Sequence, residues 1–348
     1  MKRLYLASFE GLSGIARYSK DFYECVLQRA GYDHLDSSKP LEEIISAISS
    51  SDSVHIETGL NQRREAEVLC HLVRRGHPNV DVTVHDPPFA QFPRFAFGSP
   101  LLNKASKAFH FYLNNLGIDQ DPLGRVRRIL VLSERGKALL QARLGIGRRV
   151  FHIPLIVRQT EVLPCLESSR DLMFFGFIGK NKGLEYALQL HEALVADFPE
   201  SMFYVAGTTL NEVGERHLEY LKGRFARNVS YLGFVPYDDL TAALQKAAVV
   251  LLPFQPYRFV CPTSASILRC LGMGKAVFTT DVNAVSELIR PGDNGFFLSL
   301  NFARDLQLIR SVLSNGELMR RVRQSAIDYV KKEHDPELVR RRFGMLPG

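Results

Sequence analysis

Apolar residues recur along this chain with two spacings that alternate in short blocks. Leu4 to Ser8 reads as a strand, the turn FEGLSG follows, and from about Ile15 to Arg29 the apolar positions take helical spacing. Further short strands are predicted at Ser53 to Ile56, Val80 to Val84, Ile129 to Leu132 and Val150 to Ile153. Helical stretches read at Leu41 to Ser49, Arg63 to Arg75 and Arg135 to Leu144. A polar segment, Arg158 to Arg170, interrupts the pattern as a linker would. Strands then read at Leu172 to Phe177, Met202 to Ala206, Val229 to Leu232, Val249 to Pro253 and Ala276 to Thr280. Helices at Leu184 to Phe198, Asn211 to Phe225, Tyr237 to Ala247 and Ala265 to Met273 fall between them. Alternation of this kind predicts parallel sheets with helices on their faces.

The expected organisation is two Rossmann-like, doubly wound α/β domains facing a central cleft: residues 1–157, a linker at 158–170, and residues 171–329. The helical, charged end of the chain, residues 330–348, is expected to pack back on the first domain. Ligands of such folds sit beyond the carboxyl ends of the strands, so candidate residues are sought in the loops that follow them.

Composition narrows the class. With 348 residues, 46% hydrophobic and 23% charged, the chain has globular composition and length enough for two cores. Five cysteines form no CxxC pair, which favours free thiols in a reducing cytoplasm. No apolar run approaches the roughly 20 residues that span a bilayer. The net charge of +7 fits an anionic partner, and about +5 of it lies in the first 165 residues. No helix gathers a basic recognition face, so no nucleic acid is expected. The stretch from Pro87 to Gly117 is rich in phenylalanine and carries Arg94, Lys104 and Lys107, with Arg125, Arg127 and Arg128 beyond it. A cationic, aromatic face of this kind suits an anionic membrane surface; the plainer alternative is core phenylalanines among solvated charges.

The most informative stretch is CPTSASILRCLGMGKAVFTTD, Cys261 to Asp281, which follows the apolar strand AAVVLLPF. Thr263, Ser264 and Ser266 stand where a helix begins, so their hydroxyls and the free N–H groups of the first turn are expected to grip a phosphate. The plainer alternative is that Thr263 or Ser264 caps the helix. Gly14 permits close backbone approach at the first helix, with Arg17 one turn on. His85 ends an apolar strand, and His55 and Glu57 end another. The DQD at Asp119 to Asp121 has a metal-site spacing but sits in a polar loop, and no metal or cofactor is expected. Asp238 and Asp239 read as helix caps.

Several segments taken in order carry a resemblance. FFGFIGKNKGLEYALQL, FYVAG, VSYLGFVPYDDL, AAVVLLPF and LGMGKAVFTTDVNAVSELIRPGDNGFFL are similar, from Leu172 on, to successive elements of the carboxyl half of glycosyltransferase family 4, the group 1 glycosyl transferases of the GT-B fold. SGIARYSKDF, VTVHDPP, ILVLSERGKALL and VFHIPLIV resemble the amino half more loosely. The resemblance implies transfer of a sugar from a nucleotide-diphosphate-sugar donor to a glycan or lipid-linked acceptor, retaining and metal-independent, in bacterial surface polysaccharide or glycoconjugate synthesis. The enzyme would be cytoplasmic or peripheral on the inner face of the membrane. The same resemblance makes Lys182 the cation on the donor diphosphate, with Lys180 in place of the arginine that often follows the first glycine, where this chain has Phe177. It puts His85 against sugar and acceptor, has His55 and Glu57 at their strand end facing the acceptor, and adds Gly207 and Val235 to the donor side. Two family glutamates are replaced by Cys261 and Arg269, which reverses the local charge and makes Arg269 a candidate partner of the diphosphate, Glu287 being the structural alternative. A nucleotide-sugar epimerase or phosphorylase on the same fold, or a catalytically silent nucleotide-sugar-binding subunit, remains open.

Overall fold

The structure, a computed structural model, describes residues 2–347 apart from 12–13, 60–61, 88–98, 100, 103–104, 107–108, 110–121, 146, 159–168, 210, 237–238 and 258–259. Contacts divide the chain into two units. The amino unit joins Met1–Ile156 with Phe259–Thr263 and Pro336–Gly348; the carboxyl unit joins Val157–Arg258 with Ser264–Asp335.

Six parallel strands make the amino sheet: β1 (Arg3–Ala7), β2 (Tyr32–Asp36), β3 (Ser53–Thr58), β4 (Val80–Val84), β5 (Arg128–Val131) and β6 (Val150–His152), in the order β2-β1-β3-β4-β5-β6. Six more make the carboxyl sheet: β7 (Leu172–Phe175), β8 (Phe203–Ala206), β9 (Val229–Gly233), β10 (Val249–Leu252), β11 (Ala276–Thr280) and β12 (Phe296–Leu298), ordered β12-β11-β10-β7-β8-β9. In each sheet the first strand has later strands on both sides, so the order reverses between β1 and β3 and between β7 and β10. These reversals are the places where doubly wound sheets bind ligands.

Strands β2 and β12 are additions to the sequence expectation. YDHLD is more than half polar and pairs only with β1, while FFL is three residues long behind the turn PGDNG. Neither carries the apolar run by which a central parallel strand is recognised. The helix expected over Ile15 to Arg29 also differs. It is α-helical at Gly14–Phe22, π-wound at Tyr23–Leu27 and 3₁₀ at Gln28–Ala30, where Gly31 takes a left-handed φ of 79° and ends it.

The two faces of the amino sheet differ chemically. One face packs Leu4, Leu6, Val54, Ile56, Val80, Val82 and Val84 into an aliphatic core against the helices at Leu41–Ser49 and Arg63–Arg75. The alternate positions, Tyr5, His55, Glu57, Asp81 and Thr83, point the other way and are buried as well. Rings from the helix Gly14–Phe22 and from the terminal helix Pro336–Gly344 cover part of that face, with Phe22 5.7 Å from both Phe343 and His55. Arg128 adds a hydrogen bond to the Pro347 carbonyl. The long helix before it, Gly316–Glu333, belongs to the carboxyl unit, so the chain crosses back at Asp335–Pro336.

Candidate functional site

In the amino unit, His85 directly follows β4 and its backbone N–H donates to Thr58 O at 2.9 Å, which extends the β3–β4 pairing to the strand ends. Its ring meets Tyr18 edge-on at 4.9 Å, and Nε2 lies 2.7 Å from Glu57 Oε2. The Tyr5 hydroxyl donates to the other carboxylate oxygen, Oε1, at 2.8 Å, and His55 Nε2 is 3.7 Å from it. His55 is held in turn by Thr83 Oγ1 at 2.8 Å. Burial pushes the Glu57 carboxyl up, but the hydrogen bond and charge of His85, with His55 and the Tyr5 hydroxyl, outweigh it and leave the group below its ordinary value. For His55, burial prevails over the pull of Glu57 and Asp81 and lowers it, so the ring is neutral.

This placement corrects one expectation. His55 and Glu57 do not face an acceptor; they are 0% and 1% exposed, inside the unit. Glu57 stands behind His85 as its partner. A second correction concerns the basic stretch. Arg127 and Arg128 are both ion-paired to buried Asp81, at 2.6 and 2.5 Å, near the amino ends of β4 and β5. Through this pairing they serve the fold. Gly14 opens its helix with free space around it, while Arg17 is ion-paired to Asp21 one turn on at 3.2 Å.

In the carboxyl unit, the loops after β7 and β10 are locked together. Gly183 has a left-handed φ of 74°, and a Cβ there would lie 2.1 Å from the Pro253 carbonyl oxygen. Gln255 N–H donates to Asn181 O at 2.9 Å. Lys182, between these ties, ends the 3₁₀ turn Lys180–Lys182 and carries its ammonium 4.6 Å from the Phe254 ring centre and 5.6 Å from that of Tyr257. The cation is therefore placed at the order reversal between β7 and β10, held against two aromatic rings.

The helix Ala265–Gly272 begins beside the same loop. Ser264 caps it, accepting from Ile267 N at 3.3 Å, so the plainer alternative describes that hydroxyl. Ser266 Oγ lies 3.5 Å from where a Cβ on Gly176 would be, which brings the first turn of the helix to the start of the loop after β7. Thr263 Oγ1 is buried with no hydrogen-bond partner among the described residues, an orphan acceptor and donor beside a helix start.

Other candidates take different places. Gly207 is explained by packing: its Cβ would come within 1.9 Å of Gly176 O, and its N–H donates to Gly233 O. Val235 is half-buried just beyond β9. Arg269 is 7% exposed, and one guanidinium N–H donates to Thr241 Oγ1, on the helix Leu240–Gln245, at 3.3 Å. Its burial suits helix packing. Cys261 is buried, and its N–H donates to Pro87 O at 2.7 Å. Asp239 stands at the start of its helix without a capping bond. The Lys180 side chain, Arg94, Lys104, Lys107, DQD and Asp238 lie outside the described residues. Among the described residues no three His, Cys, Asp or Glu side chains group as a metal site, and no helix is long and apolar enough to cross a membrane.

Comparison with known proteins agrees with this architecture. Residues 169–314 match the family model "Glycosyl transferases group 1", which covers most of the carboxyl unit. No curated protein sequence matches. Sucrose-phosphate synthase from Thermosynechococcus elongatus superposes with a TM-score of 0.75 at 13% identity, over 99% of this chain and 98% of that one. Anabaena HepE, in a structure with UDP and glucose, gives 0.73 at 13% identity over the same shares. A glycosyltransferase from Rickettsia africae gives 0.67 at 13% identity, over 98% and 96%. The fold is the α/β GT-B fold of two Rossmann-like units.

Proposed function

We propose that this protein is a glycosyltransferase that moves a sugar from a nucleotide-diphosphate-sugar donor, held by the carboxyl unit, to a hydroxyl of a glycan or lipid-linked acceptor. The observation that carries the reading is the setting of Lys182. A cation is fixed by Gly183 and by two aromatic rings at the order reversal of a sheet whose sequence matches the group 1 model. The start of the helix Ala265–Gly272, whose Ser266 comes to the loop after β7, adds polar groups suited to phosphate oxygens. HepE, of the same fold, has been crystallised with UDP and glucose and with UDP-glucose, which supports a nucleotide-sugar donor here.

Transfer breaks the bond between the anomeric carbon and the donor phosphate oxygen, and forms one from that carbon to the acceptor oxygen. The diphosphate leaves with the bonding electrons, and the acceptor proton is released. Lys182 stabilises the charge that grows on the leaving diphosphate, an interaction stronger in the transition state than in the bound donor. His85 lies at the carboxyl end of β4 and contacts sugar or acceptor through a hydrogen bond. Retention and independence of a metal rest on the resemblance. Arg269 receives no donor contact in this scheme.

A lipid-linked acceptor at the membrane surface, as in surface polysaccharide synthesis, is supported by the basic excess of the amino half and by Leu101 and Phe109, which are 80% and 60% exposed. Flotation with anionic vesicles tests that part.

The decisive assay is incubation with a panel of nucleotide sugars with and without glycan and lipid-linked acceptors, reading diphosphate release and the anomeric configuration of the product by NMR. Acceptor-dependent release supports the proposal, and activity surviving excess EDTA supports metal independence. Conversion of a nucleotide sugar without acceptor would assign an epimerase instead. Binding without turnover would assign a silent subunit.

A further inference from the structure

Glu57 lies on β3, with β1 on one side and β4 on the other, and each neighbouring element sends a polar side chain towards it. Tyr5 comes from β1, His85 from the end of β4, and His55 from its own strand. Tyr18, on the helix Gly14–Phe22, stacks edge-on against His85, and both Tyr18 and Glu65, the latter on the helix Arg63–Arg75, interact electrostatically with Glu57. The adjoining Asp86 is buried as well. Buried polar groups on a parallel sheet covered on both faces need a reason, because apolar residues there are more stable.

The chemistry of the contact supplies one. An ionised carboxylate only accepts hydrogen bonds, so the 2.7 Å approach of Oε2 requires a proton on His85 Nε2. In neutral imidazole the other nitrogen, Nδ1, is then a bare acceptor. Nδ1 of His85 has no hydrogen-bond partner among the described residues. Tyr5, fully buried, fills the second carboxylate oxygen and so fixes the rotation of the carboxyl plane.

We propose that Glu57, anchored by Tyr5, is a positioning residue that holds His85 in its Nε2–H tautomer, so that Nδ1 is offered as the acceptor for a substrate hydroxyl. What His85 touches rests on the glycosyl-transfer reading; the tautomer does not. The arrangement also balances the imidazolium when His85 is protonated, since the carboxylate charge is in direct contact.

The test is ¹⁵N NMR of histidine-labelled protein between pH 5 and 9, with the His85 signals assigned by their loss in His85→Asn. The wild type is expected to show Nδ1 unprotonated and Nε2 protonated in the neutral form. Glu57→Leu, which fills the site without an acceptor, is expected to release the preference, so that the Nδ1–H form of neutral His85 becomes populated. Its kcat should fall about tenfold or more, with donor KM within a few-fold. Tyr5→Phe keeps the carboxylate and should keep the tautomer with a smaller loss of kcat. Neutral wild-type His85 protonated on Nδ1 would overturn the proposal without any variant, as would Glu57→Leu with the tautomer unchanged. If no donor or acceptor supports turnover in the wild type, the glycosyl-transfer reading falls, and the NMR result alone decides this one.

Discussion

Neither Glu57 nor Arg269 takes the place that chain position suggests for it. Glu57 ends a strand, yet its carboxylate is turned inward on His85; Arg269 stands in the donor-loop helix, yet its guanidinium is buried against Thr241. Strand ends and helix starts are visible in sequence, but the side of the element on which a side chain is covered depends on a partner far away in the chain. Ser264 was legible as a cap from the ordinary preference for serine at helix starts, and the neighbouring Thr263 only as an alternative to it. Two outcomes follow at this scale. His85→Ala should lower turnover by about a hundredfold, the scale of positioned hydrogen-bond or acid-base catalysis, with calorimetric donor affinity within a few-fold; near-normal turnover would remove His85 from the mechanism. Arg269→Glu places a carboxylate in a buried site shaped for a cation, so urea unfolding should show a loss of roughly 3 kcal/mol or more. An unfolding midpoint equal to the wild type, together with lost donor binding, would restore Arg269 to the donor site.

At the scale of elements, the strand blocks and most helices were legible because apolar runs of four to six residues between polar helices leave few alternatives to a parallel sheet. The chemistry of β3 and β4 was written in SVHIET and VDVTVHD, where polar and apolar residues alternate. In a half-exposed strand that alternation means one wet face. Here both faces are covered, and the polar positions become a buried network. Glycines show a different limit: Gly183, in the loop GFIGKNKG, and Gly207, after β8, are required by backbone approach to Pro253 and Gly176. Gly183→Ala combines a left-handed φ with a Cβ 2.1 Å from a carbonyl oxygen, so it should destabilise the carboxyl unit by roughly 2–4 kcal/mol and displace Lys182. Urea unfolding and nucleotide titration of the variant check both effects; wild-type values in both would mean that the tie between the loops is not rigid.

For the whole molecule, burial of neutral His55 and ionised Glu57 sets how stability varies with pH. Burial lowers His55 below its ordinary 6.5, so as pH falls through that value the unfolded chain takes up a proton that the folded unit refuses, and stability is lost. Glu57 is lowered from 4.5, so its contribution is present above that value and is lost as pH falls further through its folded value. The melting temperature of the amino unit should be flat above about pH 7, decline from about 6.5 downward and fall again in acid. His55→Gln should flatten the first decline; a slope equal to the wild type would contradict the assignment. Buried His191, also lowered by burial, acts in the same direction in the carboxyl unit. The net charge of +7 fits an anionic substrate at this scale, but the pairing of Arg127 and Arg128 with Asp81 shows that a count of charges does not locate it. The claim on which the rest depends is that the carboxyl unit binds a nucleoside diphosphate through Lys182. Calorimetric titration of wild type and Lys182→Ala with uridine, guanosine and adenosine diphosphates tests it directly. The account predicts that at least one binds the wild type and that the variant weakens it by roughly 1.5–3 kcal/mol, the cost of a charge-assisted bond; no binding of any diphosphate, or the same affinity in the variant, would contradict it.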